Sequence, residues 1–140
     1  MRTEHWNTSL DQGTYAAFNM MNKYVPYGEI PFFWSRHYNK SVHFIGTGVY
    51  KEVHIEGDVE KCNFVAYYIN EQDKVVAVSG MNNPKATLTY LEAMRQGVMP
   101  SGSAFKNRTE TWQSVQAKLK QNVGGSKCKR ANCCQKKSVV

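Results

Sequence analysis

The chain has 140 residues, of which 41% are hydrophobic and 21% are charged, values that are ordinary for one globular domain. No apolar run approaches the roughly 18–20 residues of a membrane helix, and the first ten residues do not resemble a secretory signal. The net charge of +7 lies almost wholly in residues 120–140, which have six basic and no acidic residues, against 12 basic and 11 acidic residues in 1–119. The near-neutral body gives no reason to expect nucleic-acid binding.

Residues 4–21 are predicted to form a helix, because the apolar positions recur at helical spacing. Thr3 is the predicted N-cap, and Glu4 follows it at the positive end of the helix dipole. Gly13 costs about 1 kcal/mol relative to alanine inside a helix, so its place on the apolar stripe predicts close approach of another backbone or a ligand. The stripe comprises Trp6, Leu10, Gly13, Ala17 and Met20.

Residues 25–48 contain two prolines and three consecutive aromatic residues in a span too irregular for one helix. The aromatic residues are Phe32, Phe33 and Trp34. Such a cluster either fills a gap between a helix and a sheet or covers a flat ligand. Composition alone leaves both interpretations open.

Alternating β-branched and aromatic residues predict four strands, at residues 41–48, 52–56, 63–70 and 74–79. The last two are separated by E-Q-D, a short hairpin connection. The predicted fold is therefore α+β, an antiparallel meandering sheet with packed helices.

Two more helices are predicted after the strands. Asn83 and Pro84 have the residue types of an N-cap and a first helical position, and Gly97 marks the end of that helix. Residues 109–121 are predicted to form the last helix. The side chains predicted to face the core are Leu88, Leu91 and Met94 in the former helix and Trp112, Val115 and Leu119 in the latter.

Residues 122–140 are predicted to form a disordered basic tail. Its Cys128, Cys133 and Cys134 lack the paired C-x2-C spacing and nearby histidines of a zinc module, so no metal site is predicted. Paired cysteines among lysines are compatible with acylation, which together with the basic charge would allow membrane contact.

Catalytic motifs such as a nucleophile elbow, H-E-x-x-H or a phosphate-binding P-loop are missing from the sequence. His43 and His54 lie in predicted strands and could approach each other across a hairpin, but without a third ligand they do not predict a metal site. Two places favour a cofactor instead. One is Glu4-His5-Trp6 at a helix N-terminus, and the other is Trp34, whose indole is suited to lie over an isoalloxazine or nicotinamide ring.

Four stretches, in order, resemble the apoptosis-inducing-factor-like flavoprotein reductases, which are similar to FAD-dependent ferredoxin and rubredoxin reductases. E-H-W-N-T-S-L-D-Q-G-T-Y-A-A-F-N-M resembles their E-H-W-x-x-A-x-x-x-G-x-x-A-A-x-N-M helix, with Ser9 in place of the alanine. V-P-Y-G-E-I-P-F-F-W-S is similar to their V-P-x-F-W-S segment. V-H-I-E-G-D-V-E-K-C-N-F-V-A-Y-Y and V-V-A-V-S-G-M-N-N-P are similar to the I-x-G-D…F-V-A-[FY]-Y and V-x-A-V-A-x-M-N-x-x-P segments that follow.

The resemblance implies a C-terminal fragment of an NAD(P)H-dependent FAD oxidoreductase. Residues 1–24 would be the terminal helix of a truncated FAD-binding domain, residues 25–121 the reductase-type C-terminal domain, and residues 122–140 the tail. Carried over by position, Glu4, His5 and Trp6 would contact flavin or nicotinamide, and Trp34 would lie against the ring system. The family's glycine-rich dinucleotide loops are absent from this sequence.

The expected function follows from that resemblance. Electrons would pass from NAD(P)H through FAD to an acceptor protein in the complete flavoprotein, and the 140-residue chain alone is expected to be inactive and to bind neither cofactor well. The resemblance implies an intracellular location, cytoplasmic or mitochondrial. The alternative is a non-catalytic docking or dimerisation module with a basic, acylated tail.

Overall fold

The computed structural model describes residues 4–125 of the chain. The helices and strands alternate in blocks along the sequence, with one helix first, five strands next and three helices last. Their bounds are α1 Trp6–Met20, β1 Phe32–His37, β2 Lys40–Gly46, β3 Glu52–Asp58, β4 Asn63–Ile69, β5 Val75–Met81, α2 Pro84–Arg95, α3 Gly102–Lys106 and α4 Trp112–Gly125.

The five strands form one sheet in the order β1-β2-β5-β4-β3, and every neighbouring pair is antiparallel. The chain meanders within β1-β2 and within β3-β4-β5. Between these blocks it crosses from β2 to the far edge, and β5 then returns to the centre beside β2. The predicted α+β class with an antiparallel sheet and packed helices is confirmed.

Strand β1 is a difference from the prediction, which interpreted residues 25–48 as an irregular connector up to a strand at 41–48. The connector ends at Pro31, whose carbonyl accepts a hydrogen bond of 2.9 Å from the Gly46 amide. From Phe32 to His37 the backbone pairs with β2 in continuous register. Proline is tolerated just before an edge strand because its missing N–H interrupts no ladder hydrogen bond there.

The strand register assigns each aromatic side chain to one face of the sheet, because cross-strand partners share a face and neighbours along a strand alternate. Partners across all five strands include Phe32, Ile45, Val78, Tyr67 and His54. We call the face on which they lie the covered face. Its central side chains form the hydrophobic core with those of α2, α3 and α4, in a cluster that includes Ile45, Val65, Tyr67, Val78, Tyr90, Leu91, Phe105, Val115 and Leu119.

The opposite face, which we call the open face, is also apolar but less protected. None of its large apolar side chains is buried, and the most exposed of them is Ile55 at 49%. These side chains are Phe33, Val42, Phe44, Val53, Ile55, Phe64, Tyr68 and Met81.

A cluster of three buried aromatic rings lies at the centre of the covered face. The Tyr67 ring stacks on Phe105 with a centroid distance of 4.3 Å and meets Tyr90 edge-on at 5.5 Å. The Tyr67 hydroxyl donates to Glu56 Oε2 at 2.9 Å and lies 2.9 Å from the Tyr90 hydroxyl. Burial raises the pKa of both tyrosines, so both hydroxyls stay neutral and remain available as donors.

The helices after the sheet agree with the prediction in outline. Helix α2 begins at Pro84, with the Asn83 side chain capping the Ala86 amide, and Gly97 follows its end in a left-handed conformation with φ of 69°. Leu88 is 48% exposed, so its predicted place in the core was wrong. The buried side of α2 instead carries Ala86, Thr87, Thr89, Tyr90, Leu91 and Ala93.

The last helices differ from the prediction mainly in their extent. Val115 and Leu119 of α4 are buried as predicted, and Trp112 packs against the core. The short helix α3 was not predicted. Helix α4 continues to Gly125, past the predicted start of the tail at residue 122, and residues 126–140 lie outside the described part of the chain. Among residues 4–125, no helix has the length and apolar character needed to cross a membrane.

Candidate functional site

The N-terminus of α1 holds three of the four predicted site residues. The helix begins at Trp6, and the N-cap is His5, whose Nδ1 accepts a hydrogen bond of 3.3 Å from the Asn7 amide. Thr3, the predicted N-cap, lies outside the described residues. No acidic side chain lies in the first turn, so the positive end of the helix dipole is not neutralised from within the helix.

His5 connects the start of α1 to the open face of the sheet. Its ring lies 6.1 Å from the Phe33 ring, and Phe33 stacks on Phe44 at 5.0 Å. The row continues through Tyr68 at 5.8 Å from Phe44 and Tyr50 at 5.1 Å from Tyr68. Phe33, Phe44, Tyr68 and Tyr50 are not among the predicted site residues, and only an assignment of β1 as a strand would have shown that Phe33 faces His5.

Trp34, the fourth predicted site residue, lies on the other side of β1. It pairs with His43 on the covered face, at the sheet edge, and is 53% exposed. The structure therefore keeps Glu4, His5 and Trp6 together but separates them from Trp34 by the width of a strand. Neither Trp6, which is 75% exposed, nor Trp34 stacks on another ring of the described chain.

His43 pairs with Trp34 across β1 and β2, and the hydrogen bonding of its ring is incomplete within the described chain. Its ring stacks against Phe32, with centroids 6.3 Å apart and an interplanar angle of 16°. Its Nδ1 atom is buried and has no hydrogen-bond partner within residues 4–125. Burial lowers the pKa of His43, so the neutral ring is favoured in the folded protein.

Glu29 fixes the position of α1 relative to the sheet and α2. The Tyr15 hydroxyl of α1 donates to Glu29 Oε1 at 2.9 Å, and Arg95 of α2 approaches Glu29 Oε2 at 3.8 Å. Tyr27 meets Tyr15 edge-on at 5.1 Å. The hydrogen bond to Glu29 is the main cause that raises the pKa of Tyr15, ahead of a small effect of burial. These contacts border a crevice of about 210 Å³ between α1 and the rest of the domain.

Helix α1 turns its polar side toward the domain and its apolar stripe away from it. Thr8 is its one buried residue, and Tyr15 makes the contact with Glu29. Thr8 and Tyr15 lie about 200° and about 180° around the helix from Trp6, at about 100° per residue. All five stripe residues are exposed, and no atom lies within 4 Å of a Cβ built on Gly13. The predicted close approach at Gly13 was therefore wrong for contacts within the described chain.

The predicted meeting of His43 and His54 was also wrong, because β5 and β4 lie between their strands. His54 instead stacks on Tyr67 with a centroid distance of 6.1 Å. Across residues 4–125, no three histidine, cysteine, aspartate or glutamate side chains are grouped closely enough to hold a metal ion. Cys128, Cys133 and Cys134 fall outside this range.

A separate pocket of about 370 Å³ lies between the connector, β5 and the end of α2. Ile30, Met94 and Met99 supply much of its apolar wall, and Glu29 and Lys74 its charged rim. None of the four predicted site residues lines it. The candidate site is therefore a pair of exposed surfaces on either side of β1, and not an enclosed cavity within the described chain.

Two relatives align with about three quarters of this chain but are much longer. Apoptosis-inducing factor 3 of Mus musculus is 33% identical over 105 residues, which are 74% of this chain and 16% of the relative. The ferredoxin–NAD(+) reductase component of the anthranilate 1,2-dioxygenase system of Burkholderia cepacia is 24% identical over 110 residues, or 78% of this chain and 27% of the relative. The chain thus spans between about a sixth and a quarter of the length of these relatives.

A solved structure has the same fold. The chain is similar to part of the covalent complex of putidaredoxin reductase and putidaredoxin, with a TM-score of 0.72 and 20% identity, over 86% of this chain and 29% of that one. Residues 32–114 match the protein family described as the reductase C-terminal domain. This chain therefore belongs to the reductase C-terminal family.

Proposed function

We propose that this chain is the C-terminal part of an NAD(P)H-dependent FAD oxidoreductase that passes electrons from NAD(P)H through FAD to an acceptor protein. Membership of the reductase C-terminal family supports the class of enzyme. The names of two similar proteins support the chemistry, since one is a ferredoxin–NAD(+) reductase component and the other was solved as a complex of a reductase with putidaredoxin.

The observation that carries the proposal is the orientation of α1, which turns its polar side, and not its apolar side, toward this domain. A helix that belonged only to this domain would bury its apolar stripe, yet Trp6 and Met20 are 75% and 79% exposed, and even Leu10 at the crevice is 55% exposed. The stripe is suited to pack inside a second body, and we assign residues 1–24 to the FAD-binding domain of the reductase. Residues 25–125, through the end of α4, are then the C-terminal domain, and residues 126–140 are the tail.

The two surfaces on either side of β1 each offer an exposed aromatic side chain to a cofactor. The Trp6 and Trp34 indoles are broad, exposed and unstacked, which suits contact with a flat ring system. The positive end of the α1 dipole favours an electron-rich group near the start of the helix. We propose that Glu4, His5 and Trp6 contact flavin or nicotinamide and that Trp34 lies against the ring system, excluding water from it.

In the complete protein, bound FAD would supply the chemistry of accepting a hydride from NAD(P)H and passing on its electrons. No protein nucleophile is needed for this. The present residues do not supply the glycine-rich phosphate loops that provide most of the grip on a dinucleotide. We therefore expect the 140-residue chain alone to bind FAD weakly or not at all and to be inactive. We also propose an intracellular site of action, cytoplasmic or mitochondrial.

The function is tested in a chimera in which this chain replaces the matching 105 residues of mouse apoptosis-inducing factor 3. We expect the chimera to retain FAD and to oxidise NAD(P)H with an artificial acceptor. Trp6→Ala and Trp34→Ala should each lower the rate of flavin reduction, whereas Tyr38→Ala, a change of an even more exposed aromatic residue in the β1-β2 turn, should not. A folded chimera without FAD, or equal rates in all three variants, would contradict the proposal.

The free chain gives a complementary test. Equilibrium dialysis of the purified 140-residue chain with FAD should leave it colourless. A yellow product with one FAD per chain would show that these 140 residues bind the FAD phosphates by themselves.

A second candidate function is a non-catalytic docking or dimerisation module whose basic tail tethers it to a membrane. The six basic residues without an acid in residues 120–140 favour it. Sedimentation of the chain with anionic liposomes, with and without the residues after Gly124, tests the tether. Binding that does not depend on the tail would exclude it, and light scattering of the same samples would report a dimer.

A further inference from the structure

The open face has few of the polar residues expected of a sheet face left to water. Antiparallel sheets with one solvated face alternate apolar and polar residues along each strand. Here the side chains of β1 to β5 that point to the open face include no acid at all, and the only basic ones are His37 and Lys40 at one corner. The near-continuous apolar runs of β4 and β5 are the pattern of strands covered on both faces.

The described chain does not bury this face. Phe33, Val42, Val53 and Ile55 are exposed, and the larger side chains beside them on the face are half-buried. Contiguous apolar surface of this kind marks an interaction site. An occupant without charge on the contact surface is required, because an ion placed against the face would lose its hydration and gain no partner.

The C-terminal tail is a poor occupant by both charge and position. Residues 126–140 contain five basic residues and no acid. They follow α4, which packs against α2 and the core on the covered side of the sheet. A segment of this composition has nothing to pair with on the open face.

The start of α1 indicates what does occupy the face. His5 rests on Phe33, the first residue of the open face in chain order, while the apolar stripe of the same helix points outward. A body that packs on this stripe therefore begins where the open face begins. Glu29, through Tyr15 and Arg95, holds α1 at that border.

We propose that the open face is the docking surface for the FAD- and nicotinamide-binding body of the reductase, continuous with the contact that this body makes with α1. This inference rests on the proposed function and extends it from α1 to the sheet. The occupant would present an uncharged apolar surface complementary to the aromatic row from Phe33 to Tyr68. The contact would hold Trp34, on the next position of β1, at a set distance from the cofactors.

The test is oxidative footprinting of side chains in the free 140-residue chain and in the chimera with mouse apoptosis-inducing factor 3. We expect Phe33, Phe44 and Met81 to be oxidised several-fold more slowly in the chimera, and Leu88 to be oxidised equally in both. Ile55→Lys should abolish the protection, whereas Leu88→Lys should leave it intact. Leu88 and Ile55 form a matched pair, because their side chains are 48% and 49% exposed.

Each other outcome overturns the inference by a different route. A chimera that holds FAD while its open face reacts as fast as in the free chain would leave the function standing and exclude this docking surface. Protection in the free chain that grows with concentration and follows a dimeric mass would identify a second copy as the occupant. Protection in the free chain that is lost on removing residues 126–140 would identify the tail.

A chimera that does not fold is replaced by the intact mouse relative. Its positions aligned with Phe33, Phe44 and Met81 should then be protected relative to the one aligned with Leu88, and equal reactivity would overturn the inference. FAD content, read in the same samples, reports the proposed function separately.

Discussion

The two faces of the sheet are built from the same five strands, yet they differ in what surrounds them. Tyr67 and Tyr68 are adjacent in β4, but Tyr67 is buried among the rings of Tyr90 and Phe105, whereas Tyr68 is half-buried in the row on the open face. Side chains of similar hydrophobicity are therefore buried by the domain's own helices on the covered face. On the open face the described chain leaves them partly exposed. Hydrophobicity shows that a face will be covered, and only the packing shows by what.

The largest expected difference between the faces comes from a matched pair of isoleucines. Ile45→Ala on the covered face, where the side chain is 0% exposed, should lower the free energy of unfolding by about 2–5 kcal/mol. Ile55→Ala on the open face should cost less than about 1 kcal/mol in the free chain. Urea unfolding at equilibrium measures both, and equal costs would show that the free chain already buries the open face.

A smaller effect is expected where the sheet meets α2. A Cβ added at Gly80 would lie 2.2 Å from Thr87 Oγ1, so Gly80→Ala should destabilise the domain by about 1–3 kcal/mol. Gly13→Ala in α1, where the added atom meets nothing within 4 Å, should instead stabilise that helix by up to about 1 kcal/mol. Thr87→Ala should recover part of the Gly80→Ala loss, and no recovery would place the clash elsewhere.

The adjacent tyrosines provide the third comparison. Tyr67→Phe removes the donor to Glu56 and leaves the buried Tyr90 hydroxyl with one partner fewer, which should cost about 1–2 kcal/mol. Tyr68→Phe removes a hydrogen bond of 3.3 Å to Ser79 on the open face and should cost less than about 0.5 kcal/mol. Thermal unfolding of the two variants side by side decides whether burial sets this difference.

The smallest expected effect is a dependence on pH at the edge of the covered face. The pKa of His43 lies below its ordinary value of about 6.5 in the folded chain, because the ring is desolvated. Between the folded and unfolded pKa values the unfolded chain binds more protons, so stability should fall as the pH is lowered through about 6.5 and level off below the folded pKa.

His43→Phe should flatten that part of the profile of melting temperature against pH. An unchanged profile between neutral pH and pH about 5 would assign the slope to another group. The lowered pKa of Asp73, caused first by the Ser103 hydroxyl, acts in a separate window, because its stabilisation is lost only as the pH falls below about 3.8.

Much of the fold followed from local sequence chemistry. The N-cap and first-turn residues Asn83 and Pro84 placed α2 correctly, and turn residues on either side of β3, β4 and β5 placed these strands to within a few residues. The family resemblance was carried by motifs that fall in α1, β1, β3, β4 and β5, and family membership is confirmed. These features depend on interactions between residues that are close in the chain.

The remainder depended on contacts that are distant in the chain. Leu88 has the spacing of a core residue, but the buried side of α2 carries Ala86, Tyr90 and Ala93, and Leu88 is left exposed. His5 serves as N-cap through its Nδ1, a role that residue-type preferences assign to Thr3. Trp34 and Phe33 are adjacent in the sequence, and only the pairing of β1 with β2 decides that Phe33, not Trp34, lies beside His5.

The order of the strands has a consequence for how this domain is assembled. Strand β5 is the last to be reached along the chain, yet it lies in the middle of the sheet, and Met81 pairs with Val42, 39 positions earlier. Until β5 is present, β1-β2 and β3-β4 are two separate hairpins, and isolated hairpins are at best marginally stable. Joining them requires closing long loops, and the entropy cost of this closure comes before the stabilising contacts form. Folding should therefore be slow and cooperative. A chain that ended before β5 begins at Val75 would contain only the two separate hairpins and no stable sheet.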